Sequence, residues 1–289
     1  MAVVNTNVGA SIAQSALVKN ERALNTAMER LSTGSKVNSA RDDAAGLAVS
    51  VRMESQIRGL NMAIKNANDA VSMLATGEGA LIEITSMLQR MRELAVQAGN
   101  GTGDSKDRTY LNTEFANLRT EIDRIADNTE WNGRTILDHK ASGGASGQSG
   151  KVSFVVGMDP SQKVEVEFGN FTNTSSGTMV NLASATIAAS NTVLAQTNAS
   201  VAVGRIDTAL DAVSSQRATF GGAMNQLTFA IDNLSNVKTN TEAAKSQIVD
   251  TDYATETSEL ARTAIIQQAG TAMLAQANQL PSNVLSLLQ

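Results

Sequence analysis

Apolar residues recur every seven positions along most of this chain, and the repeat changes phase at only a few polar interruptions. Val3, Ala10, Leu17, Leu24 and Leu31 form the first run. It predicts a helix closing at Thr33-Gly34, where glycine suits the left-handed C-cap. The stretch GSKVNSARDDAAG then breaks the pattern. Ser39 and Asp42 have capping-box spacing, so a second helix is expected to start near them. Its seam is Met53, Leu60, Ala67, Leu74, Leu81, Leu88 and Ala95. A helix over roughly 43–98 would be about 80 Å long at about 1.5 Å per residue. The mean globular helix has about 11–12 residues.

AGNGTGDSKDR reads as a turn. After it, Leu111, Phe115, Leu118, Ile122 and Ile125 alternate four and three apart, predicting a shorter helix that returns along the first. From Trp131 the character changes. GRTILD, GKVSFVVGM and QKVEVEFG are alternating or β-branched and are bounded by Gly, Asp and Pro, as strands are. KASGGASGQSG and FTNTSSGTM read as exposed loops. The seam resumes at Ile206, Val213, Phe220, Leu227, Leu234 and Ile248, with Thr241 as its one polar member. VDTDYATETSE interrupts it before a closing helix.

This order predicts a mainly α fold: a long antiparallel, coiled-coil-like helical rod with a small β region at its outer end. The terminal helices are expected to form a separate inner domain. The boundaries implied are residues 1–42 with 250–289 for that domain and 43–249 for the rod, within which 130–200 is the outward-facing β and loop region.

The closing stretch from Thr263 to Gln289 has no charged side chain, yet keeps Ile266, Met273, Leu280 and Leu287 at sevenfold spacing. Its Gln and Asn residues, and Pro281, which is expected to interrupt the helix, argue against a membrane span. It also lacks the Lys/Arg face of a helix lying on a bilayer. An exposed apolar stripe marks a protein-binding surface. Identical copies joined head to tail without ring closure build a helical filament. The stripe, with Leu17, Leu24 and Leu31, is therefore expected to serve polymerisation.

Composition removes other classes. The net charge is −5 and the pI about 5.0, and no Lys/Arg block is present, which argues against nucleic acid as a partner. Without Cys there is neither disulfide nor thiolate chemistry. His139 is the only histidine, too few soft ligands for zinc. Asp42-Asp43 and Asp250/Asp252 sit beside helix starts, where acids cap and favour the dipole. No nucleophile elbow is present, and GNGTGD lacks the strand and Lys of a phosphate loop. No enzyme, cofactor or metal site is expected. MAVVNTNVGASIAQ has no basic n-region and no cleavage motif, unlike a Sec signal.

LSTGSKVNSARDDAAGLAVS, NANDAVSMLATGEGAL, LQRMRELAVQAGNGT and EWNGRTILD resemble the amino-terminal region of bacterial flagellin. QRATFGGAMNQLTFAIDNL, AKSQIVDTDYATETSELAR and QANQLPSNVLSLLQ resemble its carboxy-terminal region. The resemblance covers roughly 1–140 and 200–289 and includes both ends. It implies a structural subunit of the extracellular flagellar filament, serving motility and exported through the flagellum's own channel. The implied partners are further copies of the chain, cap and hook–filament junction proteins and an export chaperone. A Toll-like flagellin receptor of a host would bind the same surface as a neighbouring subunit. For that surface the resemblance points to Arg90, Leu94 and Glu114, with Gln89, Glu93 and Gln97 beside them; Met91 stands where the family often has Val. It also makes Ser142, Ser146, Thr174, Ser175, Ser176 and Thr178 candidates for O-glycosylation. Two alternatives are a hook–filament junction protein and an enzyme or adhesin on a flagellin scaffold. The first usually lacks QRMRELAVQ and LPSNVLSLLQ; for the second, the middle carries no H-E-x-x-H.

Overall fold

A computed structural model of the chain describes residues 7–138, 150–172, 187 and 192–286. Its elements are α1 (Val8–Thr33), α2 (Ala44–Ala98), α3 (Ser105–Asn128), β1 (Glu130–Trp131), β2 (Arg134–Thr135), β3 (Lys151–Val155), β4 (Lys163–Glu167), α4 (Thr192–Val249) and α5 (Tyr253–Ser286). The fold is mainly α, with two small antiparallel strand pairs. The chain divides into two compact units, Met1–Ile57 with Thr239–Gln289, and Arg58–Lys238.

In the first unit α1 and α5 pack side by side. Asn7 Nδ2 donates to the Ala277 carbonyl at 2.8 Å, Asn20 Nδ2 to the Thr263 carbonyl at 2.8 Å, and Arg30 meets Glu256 at 3.6 Å. As one helix advances the other recedes, so the pair is antiparallel. The Asn7 carboxamide caps α1 by accepting from Ala10 N. Gly34 closes it at φ 71°, its N–H bonded to the Arg30 carbonyl. A Cβ there would stand 3.2 Å from the Tyr253 hydroxyl, so glycine is required for conformation and space.

The predicted start of α2 near residue 43 stands, but the expected capping box does not form. Asp42 Oδ2 accepts from both the N–H and the hydroxyl of Ser39, which makes a local turn rather than a cap. The helix begins at Ala44, and Asp43 accepts from the Gly46 N–H. VDTDYATETSE likewise interrupts less than its composition suggests. Only Asp250–Asp252 separate α4 from α5. The Thr251 N–H bonds to the Gly34 carbonyl, and the Asp252 carboxylate accepts from Ala254 N and the Thr255 hydroxyl. Pro281 does not end α5, which runs to Ser286. A proline removes one backbone donor and strains one turn, a cost that a long helix can carry as a local kink.

The second unit has one continuous core. Leu60, Ala67, Leu74, Leu81, Leu88 and Ala95 of α2 are all buried, as are Ile206, Val213, Phe220 and Leu227 of α4 and Phe115 and Ile122 of α3. Ion pairs between Glu78 and Arg217 at 3.5 Å and between Arg92 and Asp207 at 2.7 Å show that these stretches of α2 and α4 run antiparallel. Gly77 lets them close up, since a Cβ there would lie 3.0 Å from the Phe220 ring.

β1 and β2 join through Asn132 and Gly133 at φ 51° and 74°, the conformation of a tight two-residue hairpin. GRTILD is strand only at Arg134–Thr135; Ile136 and Leu137 turn into the core instead. β3 and β4 pair with Val152 opposite Val166 and Phe154 opposite Val164. Asn66 Nδ2 donates to the Val155 carbonyl at 3.3 Å and Gln216 Nε2 to the Glu167 carbonyl at 2.7 Å, docking this hairpin on α2 and α4. The Phe168 and Phe220 rings, 5.0 Å apart and tilted by 54°, complete the seat.

Candidate assembly and recognition surfaces

Two surfaces gather the residues singled out in the sequence, one in each unit. On the α1–α5 pair, Leu17, Leu24 and Leu31 are half-buried and Ala27 fully so. These positions, with Ala13 and Asn20, alternate four and three apart and face α5. Opposite them, Leu260, Thr263, Gln267, Gly270, Leu274 and Ala277 repeat the same spacing and are at least partly covered. Gly270 admits the Leu17 side chain, whose atoms lie 3.3 Å from where a Cβ would stand.

Ile266 and Met273 are on another side of α5. They remain 44% and 65% exposed, and Ile265 beside them is 67% exposed. Leu280 is within α5, but its side chain is outside the described set, and Leu287 lies beyond the described residues. The seven-residue stripe of the sequence is therefore two surfaces. Its α1 half is covered by the chain's own α5, while Ile266 and Met273 of its α5 half face outward. α1 adds exposed apolar residues that the sevenfold run omits: Val8, Ile12, Val18 and Met28. Their only sequence signal is that they are apolar and out of phase with the seam.

On the second unit, Gln89, Arg90, Glu93 and Gln97 are exposed along α2, while Leu88, Met91 and Ala95 between them are buried. The Arg90 guanidinium donates to Glu114 of α3, with nitrogen–oxygen distances of 2.8 and 2.9 Å, and to Glu93 at 3.0 Å. Both carboxylates raise the Arg90 pKa above its ordinary value, the Glu93 hydrogen bond contributing most. Gln89, Arg92, Glu93, Val96 and Gln97 line an open groove, in which Val96 is 57% exposed.

Leu94 departs from the expected face. It is completely buried in the core with Met91 and Ala95, because α2 is packed on by several elements and buries more than one row of side chains. It supports the exposed row from beneath and has no exposed surface to offer a partner.

Ser142, Ser146, Thr174, Ser175, Ser176, Thr178 and His139 lie outside the described residues. Among the described residues, no group of three His, Cys, Asp or Glu side chains is placed to hold a metal ion. No described helix is long and apolar enough to cross a membrane. What both surfaces offer is contact: rows of exposed apolar or forked ionic groups on rigid helices, suited to binding another protein.

Comparison with known proteins meets this geometry from outside. Residues 4–142 match the family model described as the bacterial flagellin N-terminal helical region, and 203–288 match the bacterial flagellin C-terminal helical region. The chain is 42% identical to a flagellin of Halalkalibacterium halodurans over 288 residues, covering 99% of this chain and 100% of that one. It is 40% identical to a Bacillus subtilis flagellin over 304 residues, with 99% of each covered. Among solved structures, a Vibrio parahaemolyticus chain described as a flagellar hook-associated protein aligns at TM-score 0.57 and 17% identity, over 72% of this chain and 100% of that one, a likeness of fold.

Proposed function

Starting from a chain that belongs to the bacterial flagellin family and is a structural subunit of the flagellar filament that serves motility, we propose how its surfaces divide that work. The terminal helices, residues 1–42 with 250–289, form the polymerisation domain. Residues 43–249 form the helical body, with 130–200 facing outward. The observation that carries this reading is the exposure of Ile265, Ile266 and Met273 on a helix that α1 already occupies along an adjoining face. Apolar groups in that position lose stability in water and gain it against a second copy, at about 25 cal/mol per Å² buried. Leu280 and Leu287 are assigned to the same polymerisation stripe, and Leu17, Leu24 and Leu31 hold α1 against the adjoining face of α5 that carries Thr263, Gln267 and Gly270.

The filament lies outside the cell, and we place this chain there, delivered through the flagellar export channel with a chaperone. Cap and hook–filament junction proteins are its end partners. The Gln89, Arg90, Glu93, Gln97 and Glu114 face is the lateral contact to a neighbouring subunit and also the surface that a Toll-like flagellin receptor reads on the monomer. Ser142, Ser146, Thr174, Ser175, Ser176 and Thr178 belong to the outward region, where O-glycans can be carried without obstructing assembly.

Deleting residues 1–40 and 258–289 tests the division. The remaining chain retains the whole second-unit core, so it should stay soluble, monomeric and strongly helical by circular dichroism. Filaments from that fragment, under conditions that polymerise the full chain, would disprove the terminal assignment.

A further inference from the structure

Beside the turn between α2 and α3 is an arginine without a counter-charge among the described residues. Arg108, in the first turn of α3, is only 5% exposed, yet its Nε and Nη1 atoms have no hydrogen-bond partner among the described residues. Its neighbours do not neutralise it. Asp104 caps α3 through its own side chain, and the Asp107 carboxylate turns back to accept from the Asp104 N–H at 3.2 Å. A guanidinium is always charged and presents a fixed fork of donors. Holding it out of water unpaired is strongly unfavourable unless something supplies the missing acceptors. Arg108 also lines an open pocket of about 370 Å³, shared with Gln97, Asn100, Thr102, Asp107 and Tyr110, the Asp107 carboxylate being engaged by the Asp104 N–H. Tyr110 at its rim is 72% exposed.

We propose that this pocket receives a carboxylate from a second copy of the chain, which pairs with Arg108 when subunits assemble. A carboxylate can accept a charge-assisted hydrogen bond from the guanidinium, and the Asn100 and Thr102 side chains can donate to a carboxylate seated between them. A second copy is the fitting donor for three reasons on the molecule itself. The family polymerises. Each copy carries 28 acidic side chains against 23 basic ones. Gln97 lines both this pocket and the adjoining α2 groove proposed above as a subunit contact. The proposal rests on the filament reading but not on the terminal stripe. In the free subunit the buried charge is a stored cost, and assembly relieves it. Arg108 is thus a latch that favours the polymer.

Arg108→Met keeps the length and apolar stem while removing the charge, a replacement that buried ionic groups often tolerate or gain from. With full-length protein, the monomer melting curve and the critical concentration for seeded polymerisation would be measured for parent and variant. The expected result is a variant monomer that melts no lower than the parent but needs roughly tenfold more protein to polymerise. Equal critical concentrations would overturn the latch. So would a variant monomer that melts well below the parent, since Arg108 would then have its partner within the chain. Acetate and inorganic phosphate, added to parent monomer at constant ionic strength, separate the source. If they raise its melting temperature while Arg108→Met polymerises normally, the pocket binds free anions and the second-copy donor is wrong. If the parent itself forms no filaments, the filament reading fails, an outcome distinct from a parent that polymerises with an indifferent variant.

Discussion

Arg90 on α2 and Glu114 on α3 join two helices through two guanidinium nitrogens and one carboxylate oxygen, at 2.8 and 2.9 Å. Both side chains remain about half exposed. An exposed pair adds little to stability because water already serves both charges. What it provides is orientation: the arginine fork is held flat and ready on the surface, with Glu93 steadying its other side.

Arg90→Ala combined with Glu114→Ala should therefore leave the monomer's melting temperature nearly unchanged. Signalling through a Toll-like flagellin receptor by purified monomer should fall at least about tenfold, equivalent to about 1.4 kcal/mol of binding. A folded double variant that signals like the parent would remove this face from the receptor assignment. If signalling falls and lateral assembly weakens with it, the two functions share the surface.

Leu227→Asp addresses the core of the second unit. Leu227 is completely inaccessible to solvent, so an aspartate there would be buried without a partner, at a cost of several kcal/mol. Circular dichroism should show lost helix and a lower melting temperature. An unchanged melting curve would contradict the core position of α4.

Sequence periodicity revealed that core well because the second unit buries the sevenfold rows from Leu60 to Ala95 and from Ile206 to Leu227, while Leu234 is only partly covered. It failed where burial follows another rule. On α5 the face that meets α1 includes Thr263, Gln267 and Gly270, polar or small residues invisible to a hydropathy pattern. The apolar row at Ile266 and Met273 points elsewhere. Leu94 is named from the resemblance and not from the repeat; one sevenfold row marks only part of a wide buried face, which includes Leu94. Arg108 carried no sequence signal, since nothing in SKDR separates a buried arginine from a solvated one. The start of α2 was legible but its cap was not, because Ser39 and Asp42 bond to each other, as polar residues do when local turns compete with helix.

The acid limb of stability should be set partly by the break between α4 and α5. Hydrogen bonds to Asp252, from the Thr255 hydroxyl first and then from the Ala254 and Thr255 N–H groups, hold its carboxyl below the ordinary value of 3.8. A depressed carboxylate pKa stabilises the fold above the unfolded value, and that contribution disappears as pH falls through the folded one. Asp42 behaves alike through its Ser39 hydrogen bonds. Thermal melts should vary little from neutral pH down to about 5 and decline below about 4. Asp252→Asn should flatten that decline in proportion to the Asp252 share. An unaltered acid profile would show that this cap does not control it.

The most direct measurement of the central claim is polymerisation of full-length Ile266→Glu/Met273→Glu. Both side chains face solvent in the free subunit, so charging them should change monomer stability by no more than about 0.5 kcal/mol each. Seeded assembly would be followed by light scattering and by electron microscopy of negatively stained samples. The account predicts a folded, helical monomer that forms no filaments at concentrations where the parent polymerises fully. Filaments at the parent's critical concentration would contradict it.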